Sequence, residues 1–434
     1  MKILLISPTI DAEKRTNKGL MLPQLALYIL EGLTPPDIEV KVIEEEINPI
    51  DLDETCDLVG ISCLTANAPR AYELCNEFKL RNKTVILGGV HPTILPDEAL
   101  QHADCVVVGE AEGVWKSLLI DFQRGSLKRT YHDPSPDLDK YITKNFSKII
   151  KRRLFKLIPL MTTKGCPYCC DFCCVTNLFG KKIRHVPVEN IVRDIQESGA
   201  KNYIFLDDNI IGHPEYAKAL FKAIKPLNIN WVGQASVSLL VGDDELIQLA
   251  AESGCKKLFF GIESISVEQI KTMRKALKDI EHLENAFKKI KKMGILIHAS
   301  MVFGFDNDTK EIFDATVQFL KRNKVSTVSF NVLTPYPGTK TYEDMKNEGR
   351  LITTDWRYYD HNTVVFKPKN MTPYELQSGK VKARKMFYSL SSVLKRLTGN
   401  LYSPIIYFAT NYGHMKQVRV EAKRIHKIKA ELFR

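Results

Sequence analysis

Apolar residues recur along the first 130 positions in two rhythms. Short runs at 3–7, 58–62, 85–87 and 105–108, and an apolar–charged alternation at 39–44, predict strands. Between them, residues 20–33, 68–80 and 111–123 carry apolar positions at helical spacing. Strands separated by helices imply a parallel sheet covered on both faces, a doubly wound Rossmann-like α/β domain. Such sheets bind ligands at the carboxyl ends of their strands. The turns there are Ser62-Cys63-Leu64-Thr65, Gly88-Gly89-Val90-His91-Pro92-Thr93 and Gly109-Glu110. Glycine at a strand end lets the backbone approach a large ligand. Residues 131–155, with Asp133-Pro134-Ser135-Pro136 and the basic Lys148, Lys151, Arg152 and Arg153, predict a linker.

A second series follows. Strands are expected at 157–163, 203–206, 231–236, 257–261, 296–303 and 327–332, with helices at 188–197, 243–251, 280–293 and 310–321 among them. Six βα units fit a partial or full (β/α) barrel, and periodicity alone leaves a second open sheet as the alternative. Residues 371–434 read as helices, with Leu390, Val393, Leu394 and Leu397 at helical spacing. The division expected is 1–130, 131–155 as linker, 156–345, and a basic, mainly helical 346–434.

Composition changes this picture little: 44% hydrophobic and 26% charged residues exclude wholesale disorder for the 434-residue chain. Charge changes it more. The net +11 divides into −7 for residues 1–130, +8 for 131–370 and +10 for 371–434, where 13 basic residues face 3 acidic ones. A basic tail suggests an anionic partner such as phosphate or lipid head groups, or simply a solvated helical face. Nucleic acid is not expected, although charge alone does not exclude it. No run approaches the ~18 apolar residues of a membrane span, and the start lacks a signal-peptide pattern. The chain reads as cytoplasmic, at most membrane-peripheral.

Five of the ten cysteines, Cys166, Cys169, Cys170, Cys173 and Cys174, fall within nine residues, which points to metal in a reducing compartment. Cys166-x3-Cys170-x2-Cys173 offers three thiolates on one loop, enough for three irons of a four-iron cluster with the fourth left open. The rival set, Cys166/Cys169 with Cys170/Cys173, leaves little chain for tetrahedral zinc, whose CxxC pairs normally lie ~15–20 residues apart. Cys169 and Cys174 then read as small apolar fillers.

Gly165-Cys166-Pro167-Tyr168-x-Cys170-x-Phe172-Cys173 resembles the CxxxCxΦC loop of radical SAM enzymes. Phe205-Leu206-Asp207-Asp208-Asn209 is similar to the acidic turn after the family's second barrel strand, and Gly261-Ile262-Glu263-Ser264 to the turn after the fourth. Leu333-Thr334-Pro335-Tyr336-Pro337-Gly338-Thr339 resembles the sixth-strand segment of the cobalamin-binding branch. Gly88–Thr93 and Val108-Gly109-Glu110-Ala111-Glu112 resemble that branch's cobalamin domain. Matching segments run from residue 1 to about 345.

The resemblance implies a Rossmann-like cobalamin domain, a partial (β/α)6 radical SAM barrel and a C-terminal helical segment. It implies three cofactors: a [4Fe-4S] cluster, S-adenosylmethionine and cobalamin. Cys166, Cys170 and Cys173 would ligate the cluster. Phe172 would lie against the adenine, Asp207 or Asp208 would accept from the SAM ammonium, and Glu263 would contact the polar part of SAM. Gln234 and Ser236 are further SAM candidates. Ser62, Thr65, Gly88, Gly89 and Gly109, with His91 and Glu110, are candidates beside cobalamin. The DxHxxG loop that supplies a cobalt-ligating histidine elsewhere does not occur in residues 1–130, and His91 reads as a turn residue.

The function implied is methyl transfer to an unactivated carbon of a hydrophobic or lipid-like substrate, with a flavodoxin or ferredoxin as reductant. Cyclisation or ring rearrangement without net methyl transfer is the alternative. A methylthiotransferase would need a second cluster, for which Cys56, Cys63, Cys75 and Cys105 lack a ligand pattern. A cobalamin sensor would need the cysteine loop to be structural. Aromatic and aliphatic residues interleaved with Lys and Arg after residue 371 would suit peripheral membrane contact, or a helical cap packed on the barrel.

Overall fold

The alternation of strand and helix is realised from the first residues. A computed structural model of the protein describes residues 1–10, 22–133, 135–140, 157–240, 242–272 and 279–433. Contacts divide it into two compact units, Met1–Gly165 with Cys174–Ile204, and Cys166–Cys173 with Phe205–Arg434.

The first sheet contains β1 (Lys2–Ser7), β2 (Glu39–Glu44), β3 (Leu58–Ser62), β4 (Thr84–Gly88), β5 (Cys105–Gly109) and β6 (Thr130–Asp133). Its order is β2-β1-β3-β4-β5-β6, and every pair is parallel. The order reverses between β1 and β3, so the switch point, where doubly wound sheets bind ligands, lies at the carboxyl ends of those strands. Burial on both faces explains the continuous apolar runs: Ile3, Leu4, Ile6, Leu58, Val59, Val85 and Leu87 are all fully enclosed. Helix Ala68–Leu80 buries Ala71, Leu74, Cys75 and Phe78 at helical spacing against one face.

Three local expectations differ. The helix expected at 20–33 spans Leu25–Leu33. The linker expected at 131–155 begins inside β6, because Val106 to Gly109 of β5 supply a parallel partner for Thr130–Asp133. Its basic Lys148, Lys151, Arg152 and Arg153 lie outside the described residues.

The strand expected at 157–163 is two pieces. β7 (Leu157–Leu160) joins the second sheet, whereas β8 (Thr163–Lys164) pairs antiparallel with β9 (Arg184–His185). The second sheet continues with β10 (Asn202–Phe205), β11 (Asn230–Ala235), β12 (Cys255–Glu263), β13 (Leu296–Phe303) and β14 (Thr327–Val332). Its order, β7-β10-β11-β12-β13-β14, follows the chain without reversal. That is the order of a barrel wall rather than of a doubly wound sheet, and it makes this a partial barrel.

The two faces of this sheet differ. Gly233, Ala235, Leu258, Phe260, Ile262, Ala299, Met301, Phe303, Val328, Phe330 and Val332 are buried beneath helices. The covering helices are amphipathic: Ile280–Lys292 buries Leu283, Ala286, Phe287 and Ile290, and Glu311–Arg322 buries Phe313, Val317 and Leu320. Asp243 and Asp279 cap their helices by accepting from the Leu246 and His282 amides, at 3.0 and 2.8 Å. Toward the carboxyl ends, the alternate residues Val232, Gln234, Phe259, Gly261, Ser300, Val302, Ser329 and Asn331 remain partly or fully accessible, whereas Lys257 and His298 on the same face are buried.

After β14, residues 346–372 are largely irregular, and helices span Pro373–Phe387, Leu390–Leu397 and Pro404–Leu432. Within Leu390–Leu397, Val393 is buried but Leu390 and Leu394 are exposed. Part of the tail's basic charge is structural. Arg396 is fully buried and donates to the carbonyls of Val325, Ser326 and Phe387 and to Asn411 Oδ1, at 2.6–3.1 Å.

Candidate functional site

The cysteine loop is set by its base and by three contacts. At the base, Thr163 and Lys164 pair with His185 and Arg184. Gly165 has φ +95°, and a Cβ there would meet the Lys182 carbonyl at 2.6 Å, so only glycine turns the chain into the loop. Within the loop the Cys173 amide donates to the Cys170 carbonyl at 3.0 Å. Tyr168 hydroxyl meets Ser238 Oγ at 3.0 Å, Ser238 meets Ser236 Oγ at 2.9 Å, and the Ser236 amide donates to Asn209 Oδ1 at 3.1 Å. This chain of hydrogen bonds joins the loop to the ends of β11 and β10. The Phe172 ring stands edge-on to Phe305, centroids 5.9 Å apart, just after β13. Asp308 holds that turn by accepting from the Gly304 and Phe305 amides, and burial pushes its carboxyl up to about 6. The Asp171 carbonyl accepts from the Thr341 amide at 3.0 Å, beyond β14.

The expected SAM residues lie on this side of the sheet. Asp207 is buried and Asp208 half-buried in the turn after β10, and the Ile210 amide donates to the Gln234 carbonyl at 2.9 Å. Gln234 is exposed on the open face, and Ser236 serves through its amide and hydroxyl in the chain above. Glu263 ends β12, where the register slips between Gly261 and Glu263, with φ +67°. That left-handed conformation is uncommon for a residue with a side chain, and it turns Glu263 out of the alternation of the strand.

None of the ten cysteines is in a disulfide, and their settings separate them. Cys166, Cys169, Cys170, Cys173 and Cys174 are part-exposed, whereas Cys56, Cys63, Cys75, Cys105 and Cys255 are buried. Burial pushes the Cys75 and Cys105 thiols up to about 12, out of the range of a ready ligand. Among the described residues no three His, Cys, Asp or Glu side chains converge as on a single ion. Cluster ligation asks for a different geometry, one thiolate to each iron, and loop 166–173 has three part-exposed cysteines of the right donor type for it. Asn209 Nδ2 is buried with no hydrogen-bond partner among the described residues, a spare donor between the acidic turn and the end of β11. The donor set fits a cluster with a polar, zwitterionic ligand beside it.

In the first unit, the three turns at the strand ends interlock. Cys63 amide donates to the Gly88 carbonyl at 3.0 Å, and Thr93 Oγ1 donates to the Gly89 carbonyl at 2.7 Å while accepting from the Gly109 amide at 3.0 Å. Gly89 has φ +102°, and a Cβ would strike the Cys63 carbonyl at 2.6 Å. Thr65 is buried, and its hydroxyl has no partner among the described residues, an unmet polar group at the switch point. Ser62 lies half-buried beside it. These features fit a polar nucleotide tail laid over the strand ends.

Two candidates on this sheet have other partners. His91, expected in a turn, is instead fully buried within the short helix Val90–Ile94, with Nε2 3.2 Å from Glu98 Oε1. Glu110 is buried in an ion-pair cluster: it accepts from Lys164 at 2.8 Å and pairs with Arg184, while Lys164 also reaches Glu112 at 2.7 Å. Its carboxylate therefore anchors the β8–β9 hairpin at the base of the cysteine loop. One residue missed by sequence reading, His361, stands beside the ring of Tyr336, centroids 5.0 Å apart. Only the turn chemistry of Asp360-His361-Asn362-Thr363 could have flagged it.

Comparison with known proteins agrees with both halves. The Radical SAM superfamily model matches residues 160–320, and the B12 binding domain model matches 26–119. The chain is 31% identical over 416 residues to bacteriochlorophyllide d C-12(1)-methyltransferase of Chlorobaculum tepidum, covering 92% of this chain and 90% of that one. It is 31% identical over 431 residues to the same organism's bacteriochlorophyllide d C-8(2)-methyltransferase, covering 93% and 94%. Its fold is that of the radical S-adenosylmethionine methyltransferase TsrM from Kitasatospora setae, solved with cobalamin and a [4Fe-4S] cluster bound, with a TM-score of 0.71, 15% identity and coverage of 97% and 99%. The chain belongs to the cobalamin-binding radical SAM enzymes, in their methyltransferase class.

Proposed function

We propose that the protein methylates an unactivated carbon of a hydrophobic, ring-based substrate, a tetrapyrrole of the bacteriochlorophyllide kind. The observation that carries this is the cysteine loop pinned through Tyr168 and Phe172 at the carboxyl end of a sheet whose inner face is accessible at that end. The two Chlorobaculum relatives, similar over nearly their whole length, act on bacteriochlorophyllide d. More distant relatives, at 22% and 26% identity, are hopanoid C-2 and C-3 methylases, which favours the broader hydrophobic or lipid-like class.

When bound, the cluster with SAM supplies a carbon-centred radical, and cobalamin supplies the methyl group. The chain's own residues do the rest. Cys166, Cys170 and Cys173 would hold the cluster. Phe172, held by Phe305, covers the adenine. Asp207 or Asp208 accepts from the SAM ammonium, Asn209 and Ser236 fix that turn, and Glu263 and Gln234 meet the polar remainder of SAM. Ser62, Thr65, Gly88, Gly89 and Gly109 line the path of the cobalamin tail. Phe259 and Val302 give the open face its apolar floor. A flavodoxin or ferredoxin delivers electrons. The basic C-terminal helices, with exposed Leu390, Leu394, Leu401, Ile405, Phe408 and Tyr412, make peripheral contact with an anionic membrane.

The test is anaerobic turnover of the reconstituted enzyme with bacteriochlorophyllide d, followed by product mass. A gain of one methylene is expected. A product of unchanged carbon count would replace methyl transfer with cyclisation or rearrangement.

A further inference from the structure

Two non-glycine residues with left-handed backbone belong to the carboxyl side of the second sheet, Glu263 at φ +67° and His361 at φ +59°. Such residues persist where their surroundings over-determine them, and they gather at functional positions. The surroundings of His361 do so. Its carbonyl accepts from the Val332 amide at the end of β14, at 2.8 Å. Asp360 Oδ1 accepts from the Asn362 and Thr363 amides, and its Oδ2 pairs with Arg424 at 2.7 Å. Asn362 Oδ1 accepts from the buried Lys380 at 2.7 Å, and its carbonyl from Gln377 at 2.8 Å. Gln377 in turn accepts from the Val364 amide at 2.9 Å.

Every neighbour in this turn is committed to the clamp. The imidazole is not: it is exposed, and among the described residues its ring nitrogens make no hydrogen bond. Its ring stands edge-on to Tyr336, whose hydroxyl is itself fixed on the Tyr359 carbonyl at 3.0 Å. Although the residue keeps a solvent-accessible edge, the protein packed around it disfavours the charged ring and holds the His361 pKa below the ordinary histidine value, with Asp360 and Glu263 pulling the other way and Lys380 adding to the depression. At neutral pH the ring is thus the neutral form, with a lone pair to give. A neutral imidazole is the commonest protein ligand for a metal.

The geometry points to His361 as the axial ligand through which the barrel mouth holds a metal-chelated tetrapyrrole, one imidazole nitrogen on the ring metal and Tyr336 beside the macrocycle. This rests on the tetrapyrrole reading above. A metal held by four ring nitrogens has an open axial position, and a strained, clamped histidine fixes the macrocycle's height and tilt, which decides which peripheral carbon faces the radical.

The experiment titrates magnesium protoporphyrin and metal-free protoporphyrin into the reconstituted protein, following the axial-imidazole signature by absorption and magnetic circular dichroism. His361→Gly is the variant, because glycine accepts φ +59° and leaves room for added imidazole. Wild type is expected to bind the magnesium form about tenfold more tightly than the metal-free ring. His361→Gly should lose both the preference and the signature, and imidazole should restore the signature. Retention of both in His361→Gly overturns the assignment. So does equal binding of the two rings by wild type, which leaves the tetrapyrrole reading standing. Binding of neither ring overturns the assignment together with that substrate class, while SAM cleavage tests the methyltransferase chemistry separately.

Discussion

Glu110 illustrates what residue-level reading reaches and misses. Its place after a glycine at a strand end made it a candidate beside cobalamin, yet its carboxylate is held by Lys164 and Arg184, 54 and 74 residues away. No local pattern carries such a pairing. The loop cysteines were legible because their chemistry is local: three thiolates at fixed spacing on one turn. Tyr168 was legible only as part of a motif, and its role comes from Ser238, 70 residues on. Tyr168→Phe is expected to cost about 1 kcal/mol of stability and to slow 5′-deoxyadenosine release several-fold with the cluster still loaded. An unchanged rate would show that the hydrogen bond does not position the loop. Lys257, buried on β12 with no acidic partner among the described residues, gives a pH prediction. Burial lowers its pKa from 10.5 to about 7. Between those values the unfolded chain keeps a proton that the folded protein has released, so this group makes stability rise with pH across the window and imposes its full penalty below it. Lys257→Met should be more stable than wild type at pH 7 by roughly 2–4 kcal/mol, with the gap closing toward pH 10. Parallel urea-denaturation curves across that range would refute the assignment.

Element boundaries were most legible where the pattern of apolar and polar positions is regular over the whole element. β2, β3, β13, β14 and helix Ala68–Leu80 fall on the residues the pattern indicates. The pattern was weakest where partners decide. β6 exists because β5 offers an edge, and residues 157–163 divide because Thr163 and Lys164 have a different partner from Leu157–Leu160. The choice between barrel and open sheet rested on strand order, which periodicity does not contain. Trp231 shows how β11 is held: its ring lies between Phe205 and Phe221, at 5.4 and 5.1 Å, and its indole N–H donates to Ser253 Oγ at 3.1 Å. Trp231→Ala should destabilise the protein by about 3–5 kcal/mol, measured by chemical denaturation. A loss below about 1 kcal/mol would mean that the outer face does not depend on it.

For the whole molecule, the uneven charge was plain in the sequence, but its meaning was not. Arg396 is internal, and Lys380 and Arg384 are buried beside Glu421, so part of the basic tail ties helices together. What remains outside is an apolar and basic surface, including Ile405 at 84% exposure, with Lys395, Lys416 and Arg419. No helix among the described residues is long and apolar enough to cross a membrane. Flotation with anionic vesicles should therefore capture the full-length protein and release it in salt, and Ile405→Asp should weaken capture several-fold; equal capture by neutral vesicles would count against this surface. The central claim is that one loop carries a SAM-cleaving cluster. Its most direct test compares wild type with Cys170→Ala after anaerobic reconstitution with iron, sulfide and hydroxocobalamin, measuring 5′-deoxyadenosine on addition of SAM, reductant and bacteriochlorophyllide d. Release by wild type, lost in Cys170→Ala while cobalamin remains bound, is the predicted result; equal release by both would contradict the account.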